Sequence, residues 1–452
     1  MTHHYLIIGN GAAGLSAAEM IRQRDRLGRI TILTNESHYF YSRPGIAYVI
    51  NGQVSAEQII SRSEQFYREH RLDLCFGHAT ELDLVRRTAS LRSGETLHYD
   101  VLLLATGASA TPPRFPGREL DGILTFDTLD DAQKVIRYGR RAKAAVVAGG
   151  GITAMELAEG LRHQGTQTHL LQRGQRIWPR LLDERESAII EAQIRHEGIQ
   201  IHYGAEIDEV LGKKGKVAAV RLKNGQELKA QVVGVAIGVR PNLELVKGLP
   251  VKLDQGVLVD EFMQSSVPGL FAAGDVAQVY DRWTDRHQLD ILWPSAINEG
   301  RAAGYNMVDV ARGERPRYAY QKGSPFNAAL LFGVHLTVIG RVGIQPGRGD
   351  VTEVEEITHL SRGASQVWTT PFQSNYRSAW DSSGPNSLRI VVDEGRIVGA
   401  LLLGNQELAD PLRQLIEHEV NVRPFETLLL NGQQPLPKAI MKAWRDWHES
   451  WN

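Results

Sequence analysis

The stretch H-Y-L-I-I-G-N-G-A-A-G-L-S-A-A-E, residues 4–19, joins a short apolar run to a glycine turn and then to a run of small residues. The same pattern returns at residues 144–159 as A-A-V-V-A-G-G-G-I-T-A-M-E-L-A-E. A short β-rich apolar run reads as a buried strand, and the small residues after each turn suit the packing face of a helix. Strand and helix patterns go on alternating through the first three hundred residues or so, which predicts an α/β fold with parallel sheets.

Each turn carries a specific chemistry. In G-x-G-x-x-G the first glycine permits the tight turn, the second lets a pyrophosphate reach the backbone, and the third lets the helix pack on the strand. Gly9, Gly11 and Gly14 form the first copy, with Ala12 and Ala13 opening the helix; Gly149, Gly151 and Ala154 form the second. The unpaired amides and partial positive charge of each helix start favour a phosphate. After the first copy a strand ends near Glu36, at the ~20-residue offset where a carboxylate accepts from ribose hydroxyls; a solvated turn residue is the competing account. After the second, the strand T-H-L-L-Q-R ends in Gln172, followed by Arg173 and Arg176. Glutamine can still bond a ribose hydroxyl, whereas the arginines would suit a 2′-phosphate, so NADH is favoured slightly and NADPH stays open.

At 452 residues the chain predicts two or three domains. Its 42% hydrophobic and 23% charged residues are those of an ordinary globular protein, and a net charge of -1 gives no general field for nucleic acid or anionic lipid. The opening T-H-H-Y-L-I-I-G lacks a signal peptide's apolar region, and no run suits membrane insertion, so a cytoplasmic location is expected. The one cysteine, Cys75, cannot by itself form an intramolecular disulfide, a zinc site or a cysteine-held cluster, and the fifteen histidines show no ligand-like grouping; no metal is expected.

Prolines mark the boundaries. A-T-P-P-R-F-P-G at residues 110–117 cannot be regular structure, and V-R-P-N at 239–242, just after Gly238, is a second proline-marked crossing. They predict a domain of residues 113–242 inserted into one made of 1–112 and 243–319. From 320 to 452 strands with glycine turns and then helices predict an α+β domain, with a polar, aromatic insertion at 361–385. Trp444, Trp447 and Trp451 lie at helical spacing in the tail, packed on their own domain or presented to a partner.

Two further segments, Y-D-V-L-L-L-A-T-G-A at residues 99–108 and V-P-G-L-F-A-A-G-D-V-A at 267–277, complete an ordered set of four motifs. With them the chain resembles, over nearly its full length, the FAD-dependent pyridine-nucleotide oxidoreductases. The resemblance implies two Rossmann-like domains, the NAD(P) domain inserted in the FAD domain, plus the C-terminal α+β domain. It implies FAD on the first, held in part by Gly274 and Asp275, with Ala105, Thr106 and Gly107 at the crossing between nucleotide domains. It also implies NAD(H) on the second, with Glu156 near the nicotinamide or simply packing its helix.

Family disulfide reductases place a redox cysteine in a segment like C-G-L-P-Y-Y. Here F-Y-S-R-P-G-I-A-Y-V-I-N-G, residues 40–52, has Pro44 before the glycine. The segment instead resembles the Y-x-R-P of ferredoxin and rubredoxin reductases, which implies that Arg43 contacts FAD and Pro44 shapes the open flavin face; an X-Pro dipeptide starting a helix is the structural alternative. Trp293, with Asn298, Glu299, Gly300 and Arg301 after it, falls where the family faces the flavin's pyrimidine edge. No side chain is then expected to be catalytic: hydride passes between NAD(P)H and the flavin, and electrons leave singly to an iron–sulfur protein or subunit. The pattern is also similar to the flavoprotein subunit of anaerobic 2-oxoacid dehydrogenases such as phenylglyoxylate dehydrogenase, which implies a hetero-oligomer; a homodimer is the alternative. An NADH oxidase, a thiol, disulfide or persulfide reductase using Cys75, and a flavin-holding assembly protein without turnover are the other readings.

Overall fold

The structure, a computed structural model, describes residues 2–282, 284–343, 361–369, 376–431 and 434–450. Two compact units divide the chain: Met1–Ala110, Asp127–Leu129 and Val239–Lys322 form one, and Thr111–Phe126, Asp130–Gly238 and Gly323–Asn452 the other.

The first unit is built on β1 (His4–Ile8), α1 (Ala12–Arg24) and β2 (Arg29–Thr34). Strand β1 pairs in parallel with β2 on one side and with Val101–Leu104 on the other. Leu72–Phe76 extends the sheet beyond β2, and Leu270–Ala272 extends it beyond Val101–Leu104, both in parallel. Tyr5, Leu6 and Ile7 are 0% exposed, so the continuous apolar run is that of a central strand covered on both faces. One of those covers is α1, and the long helix Trp293–Ala311 packs on it. Glycines allow that approach: a Cβ at Gly300 would lie 2.2 Å from the Ala13 carbonyl oxygen, and one at Gly304 would lie 2.5 Å from that of Ala17.

The second unit repeats the plan with β3 (Ala144–Ala148), α2 (Ile152–His163) and β4 (Gln167–Gln172). Its parallel sheet runs Gln200–Tyr203, β4, β3, Val232–Val235, Ile123–Thr125. In both units the strand before the glycine turn lies between the strand after the turn's helix and a later strand, Val101–Leu104 in the first and Val232–Val235 in the second, the Rossmann order that opens a crevice at the strands' carboxyl ends. The α/β expectation and the repeat both hold.

The same unit contains a five-stranded antiparallel sheet, ordered Phe326–Leu331, Val334–Gly340, Arg396–Leu403, Asn386–Asp393, Arg377–Ser383. Helices Ala409–Glu417 and Leu436–Glu449 bury Leu412, Leu415 and Ile440 against it. Trp444 and Trp447 pack on this core, and the Trp444 indole N–H donates to Gln414 Oε1 at 2.9 Å. The tail stripe therefore packs on its own domain as far as it is described; Trp451 and residues 370–375 of the insertion lie outside the described residues. Among the described residues no helix is long and apolar enough to cross a membrane, and no group of three or more His, Cys, Asp or Glu is placed to hold a metal ion.

Candidate functional site

The two glycine turns carry nearly the same backbone. Gly9 has φ +122° and Gly149 φ +147°, a region open to glycine because it has no Cβ. Each also abuts the end of the strand on the far side of its sheet from the strand after the turn's helix, Val101–Leu104 in the first unit and Val232–Val235 in the second. A Cβ at Gly9 would lie 2.0 Å from the Ala105 carbonyl oxygen, and one at Gly149 would lie 2.1 Å from that of Ala236. The expected A-T-G at 105–107 thus has a structural twin in A-I-G at 236–238. The twin's first residue was not singled out, although the repeated A-x-G after a buried apolar strand was a usable signal.

Both helices begin at glycine without a capping side chain or an acid in the first turn. By contrast, Glu184–His196 is closed by a full capping box from Asp183 and Glu186. Open amides at α1 and α2 suit an anion.

Of the expected residues, Ala105 and Gly274 lie against the first turn. Among the described residues a Cβ at Gly11 would meet nothing within 4 Å. Gly274, at φ +77°, places its Cα so that a Cβ would sit 3.1 Å from that of Ala13, and the partly exposed Asp275 follows it. Glu36 holds two partners: Tyr41 donates to Oε2 and Arg43 to Oε1, each at 2.6 Å. The Arg43 guanidinium also donates to the Asp127 carbonyl. Pro44 lies in the short 3-10 turn Arg43–Gly45 that leads into the helix Ile46–Ile50. Trp293, at the start of its long helix, meets Phe40 with ring centroids 5.7 Å apart. The crossing is tied by Asn242, whose amide N–H groups donate to the carbonyls of Gly107 at 2.9 Å and Thr106 at 2.8 Å.

The second turn keeps different company. Gln172, 4% exposed, donates from Nε2 to the Gly149 carbonyl at 2.9 Å. The Trp178 indole N–H donates to the Gly150 carbonyl. A Cβ at Gly151 would lie 2.2 Å from Ser361 Oγ. Ala154 is fully buried under the turn, Arg173 is exposed, and Gly238 at φ +106° accepts from the Thr111 amide at 2.9 Å. Arg176 is spent within its own loop, donating to Leu182 O, to Ser187 Oγ at 3.3 Å and to Pro179 O at 3.4 Å. Burial, helped by the neighbouring Glu159, pushes the Glu156 carboxyl up to about 8, and Glu159 Oε1 accepts from the Phe332 amide at 3.0 Å.

A family model described as pyridine nucleotide-disulphide oxidoreductase matches residues 3–300. The chain belongs to that family. It is an FAD-dependent oxidoreductase that uses NAD(H). A relative named NADH-dependent phenylglyoxylate dehydrogenase subunit epsilon, from Aromatoleum evansii, is 32% identical over 355 residues, 78% of this chain and 83% of its own. A relative named NADH oxidase, from Methanocaldococcus jannaschii, is 31% identical over 316 residues, 68% of this chain and 70% of its own. Putidaredoxin reductase, solved as a covalent complex with putidaredoxin, has the same fold, with TM-score 0.80 and 23% identity covering 98% of this chain and 99% of that one.

The family's cofactors can be tested against these residues. The first turn fits a dinucleotide pyrophosphate as it stands, since among the described residues a Cβ at Gly11 would meet nothing within 4 Å and α1 has no capping side chain. The second fits one in its backbone and its uncapped α2, with Ser361 at the position of closest approach. Cys75 lies on the edge strand Leu72–Phe76, two strands from β1, and burial raises its thiol above the ordinary range. A raised pKa disfavours the thiolate that redox chemistry needs.

Beneath the A-A-G-D turn, Glu299 is 1% exposed and accepts from the Gly274 amide at 2.8 Å. Burial drives its carboxyl well above the usual range, against the pull of that hydrogen bond. Nearby Lys322 is held between Asp281 at 3.0 Å and Asp290 at 3.1 Å. Burial opposes its charge, and the two carboxylates overcome that and raise it. The resemblance implies a place near the flavin for Glu299, while its grip on Gly274 has no local signal in the sequence.

Proposed function

We propose that this enzyme joins hydride exchange with NAD(H) to single-electron exchange with an iron–sulfur protein, as the flavoprotein subunit of a larger complex. A 2-oxoacid dehydrogenase of the phenylglyoxylate type, reducing NAD+, is the assembly that the Aromatoleum relative supports. FAD, when bound, supplies the conversion between two-electron and one-electron chemistry. The observation that carries the reading is the pair of matched, uncapped glycine turns in a chain whose one cysteine sits on an edge strand with its pKa raised.

In this proposal Gly9, Gly11, Ala12, Ala13 and Gly14 cradle the FAD pyrophosphate, and Glu36, braced by Arg43, accepts from the ribose. Ala105, Thr106, Gly107, Gly274 and Asp275 line the rest of the cofactor, while Pro44 and Trp293 wall the ring. Gly149, Gly151, Ala154, Gln172, Arg173 and Gly238 serve NAD(H), with Glu156 beside them. The functional domains are then 1–112 with 243–319 for FAD, 113–242 for NAD(H) and 320–452 for assembly. NADH is preferred to NADPH because Arg176, a candidate for the 2′-phosphate, is already used by its own loop. The cytoplasm is the compartment we assign.

Purification from the native source at low salt, with iron analysis and identification of co-eluting subunits, tests the assembly. Co-elution with an iron–sulfur subunit that NADH reduces through the flavin is the expected result. A lone flavoprotein that reduces oxygen rapidly and no ferredoxin would favour the NADH oxidase reading, which the Methanocaldococcus relative supports.

A further inference from the structure

Residue Ser361 begins a described stretch, 361–369, that lies on the start of α2. Its Oγ and Cβ would be 2.2 and 2.9 Å from a Cβ at Gly151. A Cβ at Gly363 would be 3.5 Å from Ile152 Cδ1, in the first turn of the same helix. The stretch is held there: Asn327 Nδ2 donates to the Gly363 carbonyl at 2.8 Å, and Ser365, Val367 and Trp368 are 3%, 1% and 4% exposed. All of these residues belong to one compact unit.

The second glycine of the fingerprint lacks a Cβ so that a pyrophosphate can approach the backbone. Ser361 occupies that approach at Gly151, whereas among the described residues nothing beyond Gly11's own chain neighbours lies within 4 Å of the matching point at Gly11. Two atoms cannot share the space, so binding and this contact exclude each other. We infer that residues 361–369 are an internal competitor for the pyrophosphate of NAD(H), setting the affinity of the second site and leaving the first untouched. The inference rests on the reading that the Gly149–Gly151 turn holds the dinucleotide. A site whose competent state is only partly populated binds more weakly by that fraction.

Truncation at Ser361 therefore tightens binding in steps. In calorimetric titrations of the full-length, FAD-loaded protein with NAD+, Ser361→Gly is expected to lower Kd by about three- to tenfold. Ser361→Ala, which keeps the more distant Cβ, should fall between it and wild type, and FAD content should not change. As a second measurement, NAD+ should speed tryptic cleavage after Arg362, read by mass spectrometry. An unchanged or raised Kd in Ser361→Gly, or protection of Arg362 by NAD+, overturns the competitor; a raised Kd would make the hydroxyl a phosphate ligand. Failure of NAD+ to bind wild type and variant alike overturns both the competitor and the nucleotide reading, while binding with equal Kd overturns the competitor alone.

Discussion

The two glycine turns share a backbone and differ in what surrounds them. At the first, Gly11 faces open space among the described residues, and the strand-end acid Glu36 is paired with Arg43 and Tyr41. At the second, Gln172, Trp178 and Ser361 each engage one glycine of the turn. The fingerprint therefore dictates the turn's shape, and residues distant in sequence decide what surrounds it. A permanently held cofactor suits the first arrangement, and a nucleotide that comes and goes each turnover suits the second.

The largest effects should come from the strained glycines. Gly149→Ala must place a Cβ 2.1 Å from Ala236 O at φ +147°, and strain of this kind costs about 1–3 kcal/mol before the clash is counted. It is expected to abolish bleaching of the flavin by NADH while FAD stays bound, whereas Gly9→Ala should yield protein with little or no FAD. Equal loss of FAD in both variants would break the division of labour between the turns.

A pH series sharpens the comparison, because the second turn's helix carries a raised acid, Glu156. With the folded pKa of Glu156 at about 8 and an ordinary carboxyl near 4.5, the folded state holds the extra proton between those values. Its contribution to stability is complete below the lower value and is lost as pH rises through the higher one. Melting temperature in Glu156→Gln should fall less than in wild type between pH 5 and pH 9, roughly the window of that titration. Parallel curves would show that Glu156 is ionised throughout.

Gly11→Ala should act on binding alone. Its φ of -89° is ordinary and its Cβ meets no neighbour, so stability of the cofactor-free protein is expected to stay within about 0.5–1 kcal/mol of wild type. FAD affinity should still fall, because the methyl group projects where the pyrophosphate approaches. A stability loss without an affinity loss would move the pyrophosphate elsewhere.

Much of the fold was legible because its signals are local. Gly9 and Gly149 announce their turns within a few residues, and the apolar runs before them predict central strands. Resemblance points to Arg43 and spacing to Glu36, but their 2.6 Å pairing depends on how the loop after β2 returns. Ser361 was read only as the start of a polar insertion. Nothing near it in the chain points to Gly151, because that contact is made by tertiary packing of the C-terminal sheet. The Trp444 and Trp447 spacing located a helical face correctly, and packing rather than pattern showed which surface it covers.

The central claim is that electrons leave this enzyme from the flavin, without help from a thiol. Anaerobic titration of the FAD-loaded wild type and Cys75→Ser proteins with NADH tests it directly, since each hydride carries two electrons and full flavin reduction takes two. The account predicts complete bleaching at one NADH per FAD in both proteins. Consumption of a second NADH before bleaching is complete, in wild type and not in Cys75→Ser, would reveal a thiol-based acceptor and contradict it.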